Sequence, residues 1–283
     1  MRRTILAVML VLLSSRYLAT QTTSETYMLD WLPAESHQGF LERVHARLSR
    51  LADAVMRYTS PDITRESRRL WKMSLDGKGK CLVSLDTGVH SPKWGKGGQI
   101  LYLVEADTNH DGRIDALDDY VVRIVPEGGG KSIVEGIGKS AVWSPDGRFV
   151  AIARGGQVTF ADLDGNPVPA SSTPGGRIVT TNSPNPEVAR SFLELDVQTK
   201  TTAPMPEDLR SKYLWLGTLS PSAGHVIFSS ATRKELIVID AGNSERRSIS
   251  GDGALVLDPA WSPDEKEITF VSTAAGQNLC PGK

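Results

Sequence analysis

The sequence predicts an all-β protein in which one small antiparallel sheet is repeated around a closed ring. Three observations carry this prediction. A Ser-Pro turn followed by a β-rich strand recurs several times along the chain. From residue 70 onwards, strands follow one another at short intervals between Gly, Pro, Asp and Ser clusters. The 26 Gly and 16 Pro among 283 residues are typical of a turn-rich β protein, whereas a helical bundle contains fewer of them.

The repeat is clearest in two segments. Residues 143–153 read WSPDGRFVAIA, and residues 261–271 read WSPDEKEITFV. A weaker copy, LSP, begins at Leu219, and the poorest copy, SPKW, begins at Ser91. Proline fixes φ at each turn, and in the two full copies aspartate adds a side-chain acceptor, so each copy predicts a hairpin between two strands.

The spacing of the copies predicts about five four-stranded blades of a β-propeller. The interval from Leu219 to Trp261 matches the ~40–45 residues of one such blade. The interval from Trp94 to Trp143 is one blade with an insertion, and that from Trp143 to Leu219 holds two short blades. The second of these lacks its turn motif, and its strands are expected at 177–181, 191–197 and 201–204.

The two ends of the repeat region are predicted to complete one blade together. After Trp261 the chain has room for an inner pair of strands only, whereas Leu70–Leu85 alternates as an outer pair around an Asp-Gly turn. If the two pairs share a sheet, the ring closes and no edge strand is exposed. The alternative is a truncated piece of a larger propeller.

The first 69 residues are expected to lie outside the propeller. Residues 1–20 read as an export signal, because two arginines precede an apolar run that is too short to span a bilayer. Residues 21–36 are mostly polar and are expected to be loose. In residues 39–58 apolar side chains recur at three- and four-residue steps, which predicts an amphipathic helix packed on the main domain. The predicted division is therefore a signal peptide, an N-terminal segment at 21–69 and a propeller at 70–283.

The two full repeats resemble the TolB-type, WD-like β-propeller repeat of bacterial exported proteins. Residues 160–165, FADLDG, are similar to the strand and Asp-Gly turn of that repeat. The resemblance covers about residues 70–273. The chain departs from it near Arg177, where the motif is missing, and after Trp94, where Lys96-Gly97-Gly98 stands in place of Pro-Asp-Gly. The resemblance implies a propeller fold and interaction with a protein or peptide of the cell envelope, but no stretch corresponds to a particular binding site.

One segment carries recognisable metal chemistry. Residues 107–118 read DTNHDGRIDALD, with oxygen side chains at positions 1, 3, 5, 9 and 12, glycine at position 6 and an aliphatic residue at position 8. Calcium takes six to eight oxygen ligands, and this spacing wraps oxygens around one point. The predicted side-chain ligands are Asp107, Asn109, Asp111, Asp115 (directly or through water) and Asp118, and the predicted carbonyl ligand is that of Arg113.

This loop resembles an EF-hand loop, especially the dockerin variant that ends in aspartate. Strands are predicted on both sides of it where an EF-hand has helices. We therefore expect a structural Ca²⁺ site that fastens an insertion, and His110 is expected to face solvent. The alternative is an acidic, Asx-rich turn that holds no metal.

No enzyme motif accompanies the repeats. The sequence contains no Gly-x-Ser-x-Gly, His-Glu-x-x-His, P-loop or Cys-x-x-Cys pattern, and its five histidines are scattered. These observations favour a non-enzymatic, protein- or peptide-binding propeller exported to the periplasm or the cell exterior. The alternatives are a propeller enzyme, a lyase or hydrolase acting on a sugar or peptide, and a truncated module of a larger surface protein.

Net charge bears on the class of partner, and cysteine content bears on the cellular compartment. A formal charge of −1 gives no basic footprint for nucleic acid. We expect a monomer with no stable membrane span after signal cleavage. The two cysteines, Cys81 and Cys280, either pair in an oxidising compartment or stay as buried thiols.

Overall fold

The computed structural model describes residues 27–33, 67–115, 117–181, 192–204, 218–222, 224–230, 233–240, 242–243, 245–249, 253–276 and 278–281. These residues form five four-stranded antiparallel sheets. The predicted export signal at 1–20 and the predicted helix at 39–58 lie outside the described residues. Within the described part of the chain, no helix has the length and apolar character that crossing a membrane requires.

The strands are named in chain order. They are β1 Tyr27–Pro33, β2 Arg69–Ser74, β3 Cys81–Leu82, β4 Val89–Trp94, β5 Gln99–Glu105, β6 Tyr120–Pro126, β7 Ile133–Gly138, β8 Ser140–Trp143, β9 Phe149–Arg154, β10 Gln157–Asp162, β11 Pro167–Val168, β12 Gly176–Thr181, β13 Phe192–Asp196, β14 Thr202–Pro204, β15 Thr218–Leu219, β16 His225–Ser229, β17 Leu236–Asp240, β18 Arg246–Ser248, β19 Val256–Trp261 and β20 Glu267–Ser272.

The five sheets are the blades of a β-propeller, as the repeat spacing predicted. The first, second and fourth blades run in chain order as β4–β7, β8–β11 and β15–β18. The fifth blade has the order β19-β20-β2-β3, and β2 pairs with β20 from Arg69↔Ser272 to Ser74↔Glu267. The prediction that the two ends of the repeat region share one blade is confirmed.

The innermost strand of the third blade is one that the sequence did not predict. Its outer three strands, β12, β13 and β14, fall where the degenerate blade was expected, but its innermost strand is β1. β1 pairs with β12 from Tyr27↔Thr181 to Pro33↔Gly176. The stretch 21–36 is therefore not wholly loose. Its strand was missed because it carries no turn motif of the repeat and stands in a polar context, far along the chain from its partner.

The Ser-Pro-Asp turns use the same contacts in both full repeats. The Ser144 hydroxyl donates to Asp146 Oδ1 at 2.6 Å and accepts the N–H of Phe149 at 3.0 Å. In the fifth blade, the Ser262 hydroxyl donates to Asp264 Oδ1 at 2.8 Å, and this bond holds the pKa of Asp264 below its usual range. The turn thus orders its own side chains before the next strand begins.

The tryptophans of the repeat lie between blades. Trp143 belongs to the apolar cluster between the first and second blades, and Trp261 to the cluster between the fourth and fifth. Each indole N–H donates to a carbonyl of the preceding blade, Trp143 to Lys93 at 3.0 Å and Trp261 to Thr218 at 2.9 Å. Each repeat therefore supplies both apolar packing and one directional bond to its neighbour.

A disulfide at the fifth blade adds a covalent closure of the ring to the closure by the pairing of β2 with β20. Cys81 of β3 is bonded to Cys280, 199 residues further along the chain, so the open alternative is decided in favour of pairing. The C-terminal tail lies alongside β3, because Leu82 N–H donates to the Asn278 carbonyl at 2.8 Å and Cys280 N–H donates to the Leu82 carbonyl at 3.0 Å. The tail thus covers the outer edge of the fifth blade.

Candidate metal centre

The predicted metal loop, residues 107–118, joins β5 to β6 at one end of the first blade. Glu105 and Tyr120 pair directly below it. The innermost strand β4 begins at the same end, because Val89 pairs with Val104. We call this end of the ring, defined by the loop and by the start of β4, the upper face.

The first half of the loop is turned by its own side chains. Asp107 accepts the N–H of Gly112 at 2.9 Å and the N–H of Asp111 at 3.1 Å. Asn109 Oδ1 also accepts the Asp111 N–H, at 2.9 Å, and Asp111 Oδ1 accepts the Arg113 N–H at 2.9 Å. Gly112 has φ +81°, a left-handed conformation that favours glycine and that explains its place at the sixth position.

The last predicted ligand, Asp118, ties the loop closed. Its Oδ1 accepts the N–H groups of Thr108 at 2.8 Å and Asn109 at 3.1 Å, and its Oδ2 accepts the N–H of Asp115 at 3.0 Å. The bond from Asp115, with those from Asn109 and Thr108, lowers the pKa of Asp118 against the opposing effect of burial. This carboxylate is buried, and it is ionised at neutral pH.

The six predicted ligand positions lie in one closed loop, but their carboxylates are not gathered at one point. Among the described residues, no group of three or more His, Cys, Asp or Glu side chains is placed to hold a metal ion. Asp111 and Asp115 are exposed, and so is His110, as predicted. Each carboxylate oxygen of Asp107 accepts one N–H and keeps a further acceptor site for a hard cation, whereas Asp118 Oδ1 already accepts two.

A cavity of about 280 Å³ lies between the loop and the sheet. It is lined by the strand ends and by the second half of the loop, namely Glu105, Ala106, Ile114, Asp115, Asp118, Asp119 and Tyr120. Four of these seven residues carry carboxylates, and two of the four, Glu105 and Asp119, are paired with Arg68 and Arg154.

Two cations fasten the loop, one directly before β8 and one at the end of β9. The buried Lys139 donates from Nζ to the Asp118 carbonyl at 2.6 Å. Arg154 Nε lies 2.7 Å from Asp119 Oδ2. Sequence reasoning missed both contacts, because the partners are 21 and 35 residues away and belong to no motif. The loop is therefore a bridge between the first two blades.

Replacing Lys139 by methionine is expected to destabilise this bridge. The substitution leaves the buried Asp118 carbonyl without its donor and should lower the free energy of unfolding by about 1–3 kcal/mol. Urea denaturation measures the loss. Lys131→Met, at an exposed lysine of the turn between β6 and β7, is the matched control and should cost little. Equal unfolding midpoints for the two variants would contradict the bridging role.

A second polar cluster lies next to the loop and was not predicted. Glu105, at the end of β5, accepts from Arg68 Nη2 at 2.7 Å and lies 2.8 Å from His90 Nε2. Burial opposes ionisation of Glu105, but the hydrogen bonds from His90 and Arg68 outweigh it and lower the pKa to about 2. His90 also stacks at a tilt on Tyr120, 5.3 Å between ring centroids. The cluster joins the fifth blade to the first.

The innermost strands of these same blades are distorted at equivalent places. Ser91 of β4 and Asp258 of β19 each precede a proline and have φ +47° and +46°. Each lies at a break in the register of its hairpin. Ser91 N–H donates to Asp258 Oδ2 at 3.0 Å. A left-handed conformation is uncommon for residues other than glycine, and aspartate adopts it more readily than serine, so the strain is greater at Ser91.

Comparison with known proteins shows likeness of fold alone. No protein-family model matches the sequence, and no curated protein matches it significantly. TolB from Acinetobacter baumannii has a TM-score of 0.36 at 12% identity, covering 76% of this chain and 66% of its own. The β-propeller domain of Cps50 (Swd1) from Myceliophteria thermophila has 0.37 at 11%, covering 68% and 85%. The tricorn protease has 0.39 at 16%, covering 75% and 24%. The propeller assignment rests on the strand pairing of this chain.

Proposed function

We propose that this protein is an exported, non-enzymatic β-propeller that binds a protein or peptide partner on its upper face and carries one structural calcium ion in the loop 107–118. The observation that carries the proposal is the paired distortion of β4 and β19. Bulges and strained residues concentrate where a fold must present groups to a ligand. Innermost strands line the central channel of a propeller, so this distortion points to the channel mouth.

The composition of the upper face suits a polypeptide partner. The Arg68–His90–Glu105 cluster supplies paired charges, and Asp258 and Ser91 supply polar groups beside it. A closed, disulfide-bonded ring fixes the backbone that carries these groups, which reduces the conformational entropy lost on binding. The disulfide also supports export, because such bonds persist in oxidising compartments.

Partner binding is tested by substituting one side chain of the upper face. Asp258→Ala removes the carboxylate that accepts from Ser91 and should reduce cross-linked capture of an envelope protein at least several-fold. The control is Glu245→Ala, at an exposed position on the outer hairpin of the fourth blade, which should capture the partner as the parent does. Equal capture by the parent and both variants would place the binding surface elsewhere and overturn this part of the proposal.

The calcium ion would be held by the oxygens of Asp107, Asn109, Asp111, Asp115 and Asp118 and by the Arg113 carbonyl. When bound, a divalent cation neutralises a loop that otherwise concentrates negative charge. The support is the register of the six oxygen positions and the closure of the loop by its own backbone N–H groups. For an exported protein an affinity on the order of 10⁻⁴–10⁻³ M suffices. The terminal aspartate is shorter than glutamate, which should weaken the preference for calcium over magnesium.

Calcium titration of the metal-free protein is the direct test. We expect one ion per chain and a rise in melting temperature with calcium. Asp107→Ala or Asp111→Ala should abolish stoichiometric binding and lower the melting temperature while the fold persists. Asp164→Ala, at an exposed Asp-Gly turn of the second blade, is the matched control. Melting of the parent protein that does not respond to calcium would count against the site.

A further inference from the structure

The third blade obtains its innermost strand from a distant part of the chain. In the other four blades, the innermost strand leads directly through a short turn into the strand beside it. In the third blade, Pro33 ends β1 and Gly176 begins β12, so the whole of the first two blades lies between these neighbours. Residues 169–175 lead from β11 straight to β12 and leave the inner position to be filled by the N-terminal strand.

The position that β1 fills is apolar and specific. Trp31 is only 4% exposed, and its ring lies 5.4 Å from that of Phe160 on the second blade. It shares a cluster with Ile178 of β12 and Val142 of β8. Without β1 this apolar surface and the free edge of β12 would face water, so the slot requires an occupant.

We propose that β1 is an exchangeable strand and that a second copy of this chain can fill the slot with its own β1, giving a reciprocal dimer at high concentration. A β1 strand from a second copy pairs with β12 in the same register as the chain's own β1, and its Trp31 makes the same contacts. Exchange of an identical element between protomers therefore costs little beyond association. No new interface has to be supplied by the sequence.

The length of the connection permits the exchange. Residues 34–66, which lie outside the described residues, separate β1 from the fifth blade. Fully extended, a segment of this length spans on the order of 100 Å, which is enough to reach a neighbouring ring. A long connection also lowers the effective concentration of the strand at its own slot, so a second chain competes more readily than it would against a tight hairpin.

The first experiment uses the unaltered chain. Isotopically heavy and light proteins are mixed, concentrated from the low micromolar to the high micromolar range, held just below the unfolding midpoint in urea and returned to buffer. Native mass spectrometry should show a species of doubled mass whose fraction rises with concentration. About half of these dimers should contain one heavy and one light chain, as random pairing requires.

The second experiment identifies the exchanged element. Leu32 pairs with Arg177 across β1 and β12, so the double variant L32C/R177C can form a disulfide between them. Oxidation should link two chains in the dimer fraction but only close a loop within one chain in the monomer fraction. Non-reducing electrophoresis after fractionation separates these results, and the native disulfide at Cys81 stays within each chain in both fractions.

Three outcomes would overturn the inference. The protein could stay monomeric at every concentration, or the dimer could carry the new disulfide within each chain. Alternatively, the monomer could take up a free peptide with the sequence of Tyr27–Pro33 without forming any dimer, which would make the slot a peptide site. The isotope experiment uses the unaltered chain, so it tests the proposal even if the double cysteine variant fails to fold.

Discussion

Removal of the Cys81–Cys280 disulfide is expected to lower the free energy of unfolding by about 3–5 kcal/mol. The bond joins two residues that are 199 positions apart in a chain of 283, and it restricts the unfolded ensemble accordingly. In the folded ring it holds the C-terminal tail beside β3 of the fifth blade. When it is absent, the ring is held closed by non-covalent contacts, among them the pairing of β2 with β20.

Urea denaturation of the parent and of C81S/C280S measures this effect, with and without a thiol reductant. The parent under reduction and the double variant should share the same lowered midpoint, and the reductant should leave the variant unchanged. The far-ultraviolet spectrum should stay that of a β protein, because the strand pairs are not broken. An unchanged midpoint after complete reduction would show that the non-covalent closure alone sets the stability.

Replacement of Trp31 by alanine is expected to be the most damaging single substitution in the N-terminal strand, with a loss of about 3–5 kcal/mol. The side chain is almost fully buried against Phe160 and Ile178, and its truncation leaves a cavity between the second and third blades. Trp31 is the β1 side chain that the structure describes as buried, so it anchors the strand to the second and third blades. Its loss should therefore release the whole strand.

Hydrogen exchange distinguishes release of the strand from a general loss of stability. Amides of β12 should lose protection in W31A by more than the global change, whereas those of β5 in the first blade should follow the global change alone. W31F keeps much of the apolar contact and should lose less. Uniform loss of protection across all five blades would contradict a local opening of the third.

The sequence was informative wherever the relevant contacts are short in range. The Ser-Pro-Asp turns order themselves through bonds two and five residues along, such as those of Ser144, so each repeat shows its hairpin without help from the rest of the fold. The closure of the fifth blade was also predictable. Around Trp261 the sequence offers only the two inner strands of a blade, and Leu70–Leu85 offers only two outer strands, so the two pairs complete each other.

Long-range contacts could not be predicted in the same way. β1 carries no repeat motif, and only the gap left in the third blade reveals its place. In the candidate metal centre, the six ligand positions follow from local spacing, but Lys139 and the Arg68–His90–Glu105 cluster come from separate strands and have no signal in the sequence. The pairing of Cys81 with Cys280 stayed open for the same reason, since sequence alone does not show how far apart two residues lie.

The arrangement of the chain ends has a consequence for biosynthesis. β2 emerges from the ribosome before the first blade is made, whereas its partner β20 emerges after the fourth. Blade-by-blade assembly behind the ribosome therefore cannot finish the ring. One edge of β2 must therefore stay unpaired until β20 has been made. A nascent chain halted shortly before residue 256 should consequently be prone to aggregation and a client for chaperones.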